Sequence, residues 1–238
     1  MFGEKTRNFG DVLTPVLFDH YEIPYAFEKD SYDTICIGSI GNKARTGTLV
    51  LGAGVAWHST KINPCSKWLF ARGPLTRAAV LNSGGACPEI YGDPALLLPR
   101  FCEESPKKHR LGIVPHYQEF RLVKRDYPEQ HVINLNKPDP LETARQITEC
   151  EAVISSSLHG IICAHAYGIP AAWVKFSDRI IGDDTKYHDH HAAVGLHAIL
   201  SNMQEPVFQK PSSLPTLSIH NIMLTVRELF GDKGAGVF

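Results

Sequence analysis

No apolar run in these 238 residues approaches the ~20 consecutive positions that a membrane-spanning helix needs. A basic stretch followed by an apolar one is missing from the start of the chain, so no secretory leader is read there and a cytoplasmic location is expected. Neither sign of charge is in excess, with 24 Lys and Arg against 25 Asp and Glu. That balance argues against nucleic acid or an anionic membrane surface as a bulk electrostatic partner, and any anion must be bound locally. The six cysteines (Cys36, Cys65, Cys87, Cys102, Cys150, Cys163) form no C-x-x-C or other zinc-like spacing. They are read as reduced and structural. LGAGV (51–55) lacks the G-x-G-x-x-G spacing, which excludes a nicotinamide fingerprint.

Histidine is plentiful, with 12 in the chain, and His188-Asp189-His190-His191 invites a metal reading. Adjacent residues of a strand or helix point in different directions, so this run is a poor chelate unless a loop wraps it, and no metal is expected. Apolar residues make up 43% of the chain, enough for a substantial core.

Short apolar runs alternate with amphipathic segments. YDTICIGSI (32–40), GTLVLGAGV (47–55) and KWLFARG (67–73) read as strands, and 10–21 and 73–85 as helices. GDPALLLPRFCEESPKKHR (92–110) breaks the rhythm and reads as a linker, with Asp93 of YGDPALLLP as a candidate cap on a short element. The pattern restarts at RLGIVPHY and alternates through PAAWVKF, and a last helix is expected near 219–230. The alternation implies an α/β fold with parallel sheets, built as two Rossmann-like domains over 1–103 and 104–238. The last helix would pack back on the first domain. The chain opens directly on the loop-like GEKTRNFGD, from which a strand often found before such a loop is expected to be missing.

Two such halves facing each other form a cleft lined by strand ends and helix N-termini, where small anions bind. VISSSLHGIICAHAYGIP (153–170) places Ser156, Ser157, His159 and Gly160 at one strand-to-helix turn. His159 alone could simply hydrogen-bond nearby backbone. Its company strengthens a functional role: Lys175, Asp178 and Arg179 follow at the end of the next strand, and Arg72 stands at another such turn, with Arg77 one turn into the helix. Asn8 and Asp11 of RNFGD are candidate caps, and His116 and Tyr117 of VPHY end a strand that faces the cleft. Arginines suit a carboxylate or phosphate and a histidine can move protons near neutral pH, so a nucleotide-sugar pyrophosphate fits as well as a smaller anion.

The ordered set NFGD, LGAGV, RGPLTR, GDPALLLP, PHY, SSSLHGIICAHAYGIP and WVKFSD resembles the polysaccharide pyruvyl transferase family, in its bacterial exopolysaccharide branch. The resemblance implies a fold similar to the B-type glycosyltransferases. It also implies transfer of a pyruvyl group from phosphoenolpyruvate to two sugar hydroxyls, forming a ketal on an exopolysaccharide or its lipid-linked precursor. Residues carried over to the donor are His159, Arg72 and Arg179, with Lys175 or Lys186 able to share the task of Arg179. The substrate-binding set is Asn8, Asp11, Gly54, Arg77, His116, Tyr117, Ser156, Ser157, Gly160, Lys175 and Lys186. No cofactor is expected, and membrane association is at most peripheral, at the inner face. Acceptor loops are sought at 38–47 and 55–68, with Trp57 and His58 available to a sugar. Two alternatives stay open: a nucleotide-sugar glycosyltransferase, and a sugar- or anion-binding regulator that performs no chemistry.

Overall fold

A computed structural model describes residues 8–27, 33–230 and 235–237; the opening GEKTR (3–7) lies outside them. Helix α1 (Phe9–His20) leads to β1 (Tyr25–Phe27), β2 (Thr34–Ile35), β3 (Leu49–Leu51), β4 (Lys67–Phe70) and α2 (Pro74–Asn82). A 3-10 helix (Pro94–Arg100) follows, then β5 (His109–Val114), α3 (Phe120–Asp126), β6 (His131–Val132), α4 (Pro140–Thr148), β7 (Cys150–Ser155), α5 (Leu158–Ala166) and β8 (Ala171–Val174). The chain continues through α6 (Thr185–Ala193), β9 (Leu200–Ser201), α7 (Thr216–Phe230) and β10 (Ala235–Val237). The protein is thus α/β, with two five-stranded parallel sheets ordered β1-β10-β2-β3-β4 and β6-β5-β7-β8-β9. Among the described residues no helix is long and apolar enough to cross a membrane.

The second sheet shows how sequence sets the layers. Asp139 caps α4 by accepting from the Leu141 N–H at 2.8 Å, Pro140 opens the helix, and Thr143, Ala144 and Ile147 fall on one buried face. Strand β8 (AAWV) is buried along its whole length, as a central parallel strand covered on both faces must be. Helix α5 is apolar nearly all round, with Ile161, Ile162, Cys163 and Ala164 fully buried, and so occupies the centre of the molecule.

What α5 packs against corrects the reading of 92–110 as a linker. Residues 94–98 are buried, with Leu96, Leu97 and Leu98 at 0% exposure, and this 3-10 helix lies on α5. One hydrophobic cluster runs from Phe9 and Leu13 through Leu51 and Leu96–Leu98 to Ile161 and Met223, joining the two sheets. Only the charged stretch after Cys102 is a surface connection. Helix α7 also contacts the 3-10 helix, and the Tyr21 hydroxyl and His220 Nδ1 lie 2.6 Å apart. Strand β10, which pairs between β1 and β2, has no counterpart in the sequence reading.

Candidate functional site

A cavity of about 140 Å³ lies where the carboxyl ends of the two sheets meet. Helix α1 contributes Asp11, preceded by Asn8, and the loop after β2 contributes Gly38 and Ser39. From the other side come His116 after β5, the Ser157-Leu158-His159 turn and Lys186 of α6. Six residues picked from the sequence therefore converge here: Asn8, Asp11, His116, Ser157, His159 and Lys186.

The three serines have separate tasks. Ser155 Oγ donates to the Val114 carbonyl at 2.7 Å and accepts from the Ser157 N–H at 3.0 Å, tying β7 to β5. Ser156 Oγ donates to Glu119 Oε2 at 2.5 Å and accepts from the His116 N–H at 2.9 Å. Ser157 Oγ caps α5, accepting from the Gly160 N–H at 3.4 Å. Ser156 is fully buried and Gly160 is a packing glycine whose Cβ would stand 2.5 Å from Ser155 Oγ, so neither reaches the cavity. The serine block is chiefly a frame for the histidine that follows it.

His159 packs closely against α1 at Gly10. A Cβ on Gly10 would stand 2.1 Å from Nδ1 and 2.3 Å from Cε1 of its ring, which gives the glycine of NFGD a packing reason. Its side chain is 12% exposed, and Nε2 stands 3.7 Å from Oδ2 of the fully buried Asp93. Neither atom has a hydrogen-bond partner among the described residues. Asp93 caps the 3-10 helix with its other oxygen, accepting from the Ala95 N–H at 3.0 Å.

Burial sets the charge states around the cavity. It pushes Lys186 down to about 8, helped by the positive Arg72 and Lys175 and opposed by Asp184 and Glu119. The Lys186 ammonium donates to the Ile181 carbonyl at 3.1 Å and lies 5.2 Å from the Tyr187 ring centre. His116 is pushed down to about 4 by burial and by the charges of Lys186 and His159, and is therefore neutral at pH 7. Asp11 is raised by burial against the lowering effects of its Asn8 hydrogen bond and of His159 and Lys43. Asn8 occupies the N-cap position of α1 without capping it through its side chain.

Arg72, expected at the donor, lies outside the cavity lining. It is 0% exposed, and Nε meets Asp189 Oδ2 at 3.1 Å, Nη1 meets Ser39 Oγ at 2.8 Å and Nη2 meets the Val55 carbonyl at 2.7 Å. Asp189 of α6 also accepts from the Thr76 N–H at 2.9 Å and the Thr76 hydroxyl at 2.6 Å. Gly54 makes room for the guanidinium, since a Cβ there would stand 2.0 Å from its Cζ, so Gly54 and Arg72 form a brace from β4 to α6. Arg72 touches the cavity only through Ser39.

Other candidates lie elsewhere. Arg179 is exposed on a turn, its N–H donating to Ser177 Oγ at 3.3 Å, and Lys175 donates to Asp184 Oδ2 at 2.6 Å on the surface. Arg77 donates to the Cys87 carbonyl at 3.1 Å, and Tyr117 packs its ring 4.5 Å from that of His116. Residues 188–191 belong to α6 and disperse: Asp189 to Arg72, His190 to His165 Nδ1 at 3.0 Å, His191 to the Tyr187 carbonyl at 2.8 Å. His109, His131 and Glu149 gather at the opposite end of the second sheet. There the two imidazoles stack at 3.7 Å, and Lys108 Nζ sits 2.5 Å from Glu149 Oε1, so the in-plane lone pairs do not converge. The loop at 55–68 reaches across to the second sheet's side, where the His58 N–H donates to Asp183 Oδ2 at 2.9 Å and Trp57 remains 46% exposed. Gly38 and Ser39 open the 38–47 segment sought as an acceptor loop, though neither is singled out there, and Glu119 was not found by sequence reasoning, since nothing local distinguishes it.

Residues 5–178 match the family described as polysaccharide pyruvyl transferase. Uncharacterized protein L143 of Acanthamoeba polyphaga mimivirus is 30% identical over 170 residues, covering 67% of this chain and 59% of that protein. Succinoglycan biosynthesis protein ExoV of Rhizobium meliloti (strain 1021) is 30% identical over 207 residues, covering 79% of this chain and 62% of ExoV. The chain spans about three fifths of the length of these curated relatives. No solved structure matches it.

Proposed function

Because this chain belongs to the polysaccharide pyruvyl transferase family, we propose that it transfers a pyruvyl group from phosphoenolpyruvate to two hydroxyls of a sugar. The acceptor is a residue of an exopolysaccharide or its lipid-linked precursor, met at the inner face of the membrane. In this reading the two sheets are the centres of two Rossmann-like domains, 1–103 and 104–238, arranged as in B-type glycosyltransferases, with β10 returning to the first.

The observation that carries the reading is the meeting of His159, Lys186 and the start of α5 on one small cavity. Phosphoenolpyruvate has a carboxylate and a phosphate. Lys186 supplies a desolvated point charge for one, and the N-terminal amides of α5, with the positive end of the helix dipole, suit the other. A space of about 140 Å³ fits a three-carbon anion better than a nucleotide sugar, since drug-sized ligands occupy roughly 300–1,000 Å³.

The chemistry then follows from the residues. The C2=C3 electron pair of the enol phosphate takes a proton from solvent at C3, which becomes a methyl group, a sugar oxygen bonds to C2, and the proton of that hydroxyl passes to His159 and on to solvent. The second hydroxyl attacks C2, the C2–O bond to phosphate breaks with its electron pair leaving on phosphate, and the second proton leaves with it. C2 stays at the oxidation level of a ketone throughout, so no redox cofactor is called for. Trp57, exposed on the 55–68 loop, offers an apolar face to the sugar ring.

Thermal-shift titration separates this reading from a nucleotide-sugar glycosyltransferase. Phosphoenolpyruvate should raise the melting temperature of the wild type and not of Lys186→Met, with phosphate released once the acceptor is supplied. Stabilisation by a uridine or guanosine diphosphate sugar, with none by phosphoenolpyruvate, would overturn it.

A further inference from the structure

We infer that Asp93 is a positioning residue for His159, fixing the imidazole as its Nε2–H tautomer so that Nδ1 is the nitrogen that exchanges a proton with substrate. The inference rests on the role given to His159 above.

Two buried polar atoms without partners face each other here. Asp93 Oδ1 is committed to the Ala95 N–H, which aims Oδ2 at the imidazole, and the gap of 3.7 Å to His159 Nε2 is a small ring movement from a hydrogen bond. Burial without a partner is costly for both atoms, so two orphans at this separation point to a contact that completes itself when the cavity is filled. The ring is kept in place from the other side by the backbone at Gly10. An ionised carboxylate only accepts, so the nitrogen facing Asp93 must carry the hydrogen, and the other nitrogen of a neutral imidazole then carries the lone pair.

The charged surroundings support this assignment. Asp11 from α1, His116 after β5, and Lys186 and His190 from α6 are the other titratable groups around His159, and Cys36 lies beside Asp93. Burial drives the Cys36 thiol upward and His116 and His190 downward, leaving those three neutral at pH 7. When Nδ1 takes the proton of the attacking hydroxyl, the imidazolium has the Asp93 carboxylate as counter-charge. When that proton is passed on, the neutral Nε2–H form is restored.

Asp93→Asn isolates this role, because asparagine caps a helix as well as aspartate does while presenting an amide N–H to Nε2. Expected are an unchanged melting temperature, a fall of about 10²-fold in kcat for phosphate release and little change in KM for phosphoenolpyruvate. The acidic limb of the kcat/KM–pH profile should also move to lower pH, since the imidazolium has lost an opposite charge. An Asp93→Asn protein with wild-type kcat and pH profile would overturn the inference. A second readout needs no substrate: long-range ¹H–¹⁵N spectra of the wild type, with His159 assigned by its loss in His159→Gln. These should show the proton on Nε2, and a proton on Nδ1 would overturn the inference even if Asp93→Asn fails to fold. If no acceptor supports phosphate release, the proposed function falls and the spectrum still decides the role of Asp93.

Discussion

The turns ARGPLTR and SSSLHG occupy equivalent places, each between a parallel strand and its helix, and each delivers a cationic or protonatable side chain toward the meeting of the sheets. Their outcomes differ. At the first turn Arg72 is fully buried, and its three side-chain nitrogens each have a partner. At the second, His159 lines the cavity, and its buried Nε2, facing Asp93, has no hydrogen-bond partner among the described residues. A group whose hydrogen bonds are all made holds the fold, while one that lines an open space without being fully committed is available to a ligand.

The sharpest separation comes from removing the brace. Arg72→Met leaves Asp189 buried beside only Thr76, and breaking a buried pair in this way costs about 3–5 kcal/mol. Urea unfolding should show that loss, with poor recovery of folded protein. A stable Arg72→Met protein whose only defect is a raised KM for phosphoenolpyruvate would return Arg72 to the donor site. His159→Gln should do the reverse, keeping its melting temperature within a few degrees while kcat falls by about 10²-fold or more. Near-normal turnover in that folded variant would remove the histidine from proton transfer.

Lys186 gives a subtler test, because two signs oppose each other. Its pKa is about 8 in the folded protein against 10.5 for the free side chain, so between these values the unfolded chain binds more protons than the folded one. The Lys186 contribution to stability therefore rises with pH across that window. Affinity for an anion falls across the same window as the ammonium is lost, and KM for phosphoenolpyruvate should climb about tenfold per pH unit well above pH 8. In Lys186→Met the climb should vanish; if it persists, another cation binds the donor. At the acid end His116, at about 4 when folded, reports the same direction: the unfolded chain takes up its proton first as pH falls below 6.5, and stability declines.

The parts of this architecture that could be read from sequence are those that local periodicity encodes. The strand-and-helix alternation, the strand-to-helix turn at Ser157 and the place of His159 follow from patterns a few residues long. Helix α6 was not legible, because the side chains it buries are Lys186, Asp189, His190 and His191, and their burial is made possible by partners far away. Asp189 meets Arg72 across 117 positions, and His190 meets His165 across 25. The same distance effect turned a charged, proline-bearing segment into the buried support of α5, and made Gly54 a cradle for a guanidinium. Gly10 allows a close approach whose other party, the His159 imidazole, stands 149 positions away in the chain.

Arg179 is the finest probe of the contrast between satisfied and available groups. It stands 20 positions after His159, where the family resemblance puts a donor-binding cation, yet its side chain is exposed on a turn outside the cavity lining. Lys186 has the opposite setting: 9% exposed and on the cavity wall. If a desolvated cation is what binds a dianion, Lys186 does the work and Arg179→Ala should change KM for phosphoenolpyruvate by less than about threefold, with stability within about 0.5 kcal/mol of wild type. A loss in Arg179→Ala as large as that in Lys186→Met would mean that the turn at 177–184 folds inward when the donor binds. The exposed arginine would then be an available group too, one whose partner arrives with the substrate.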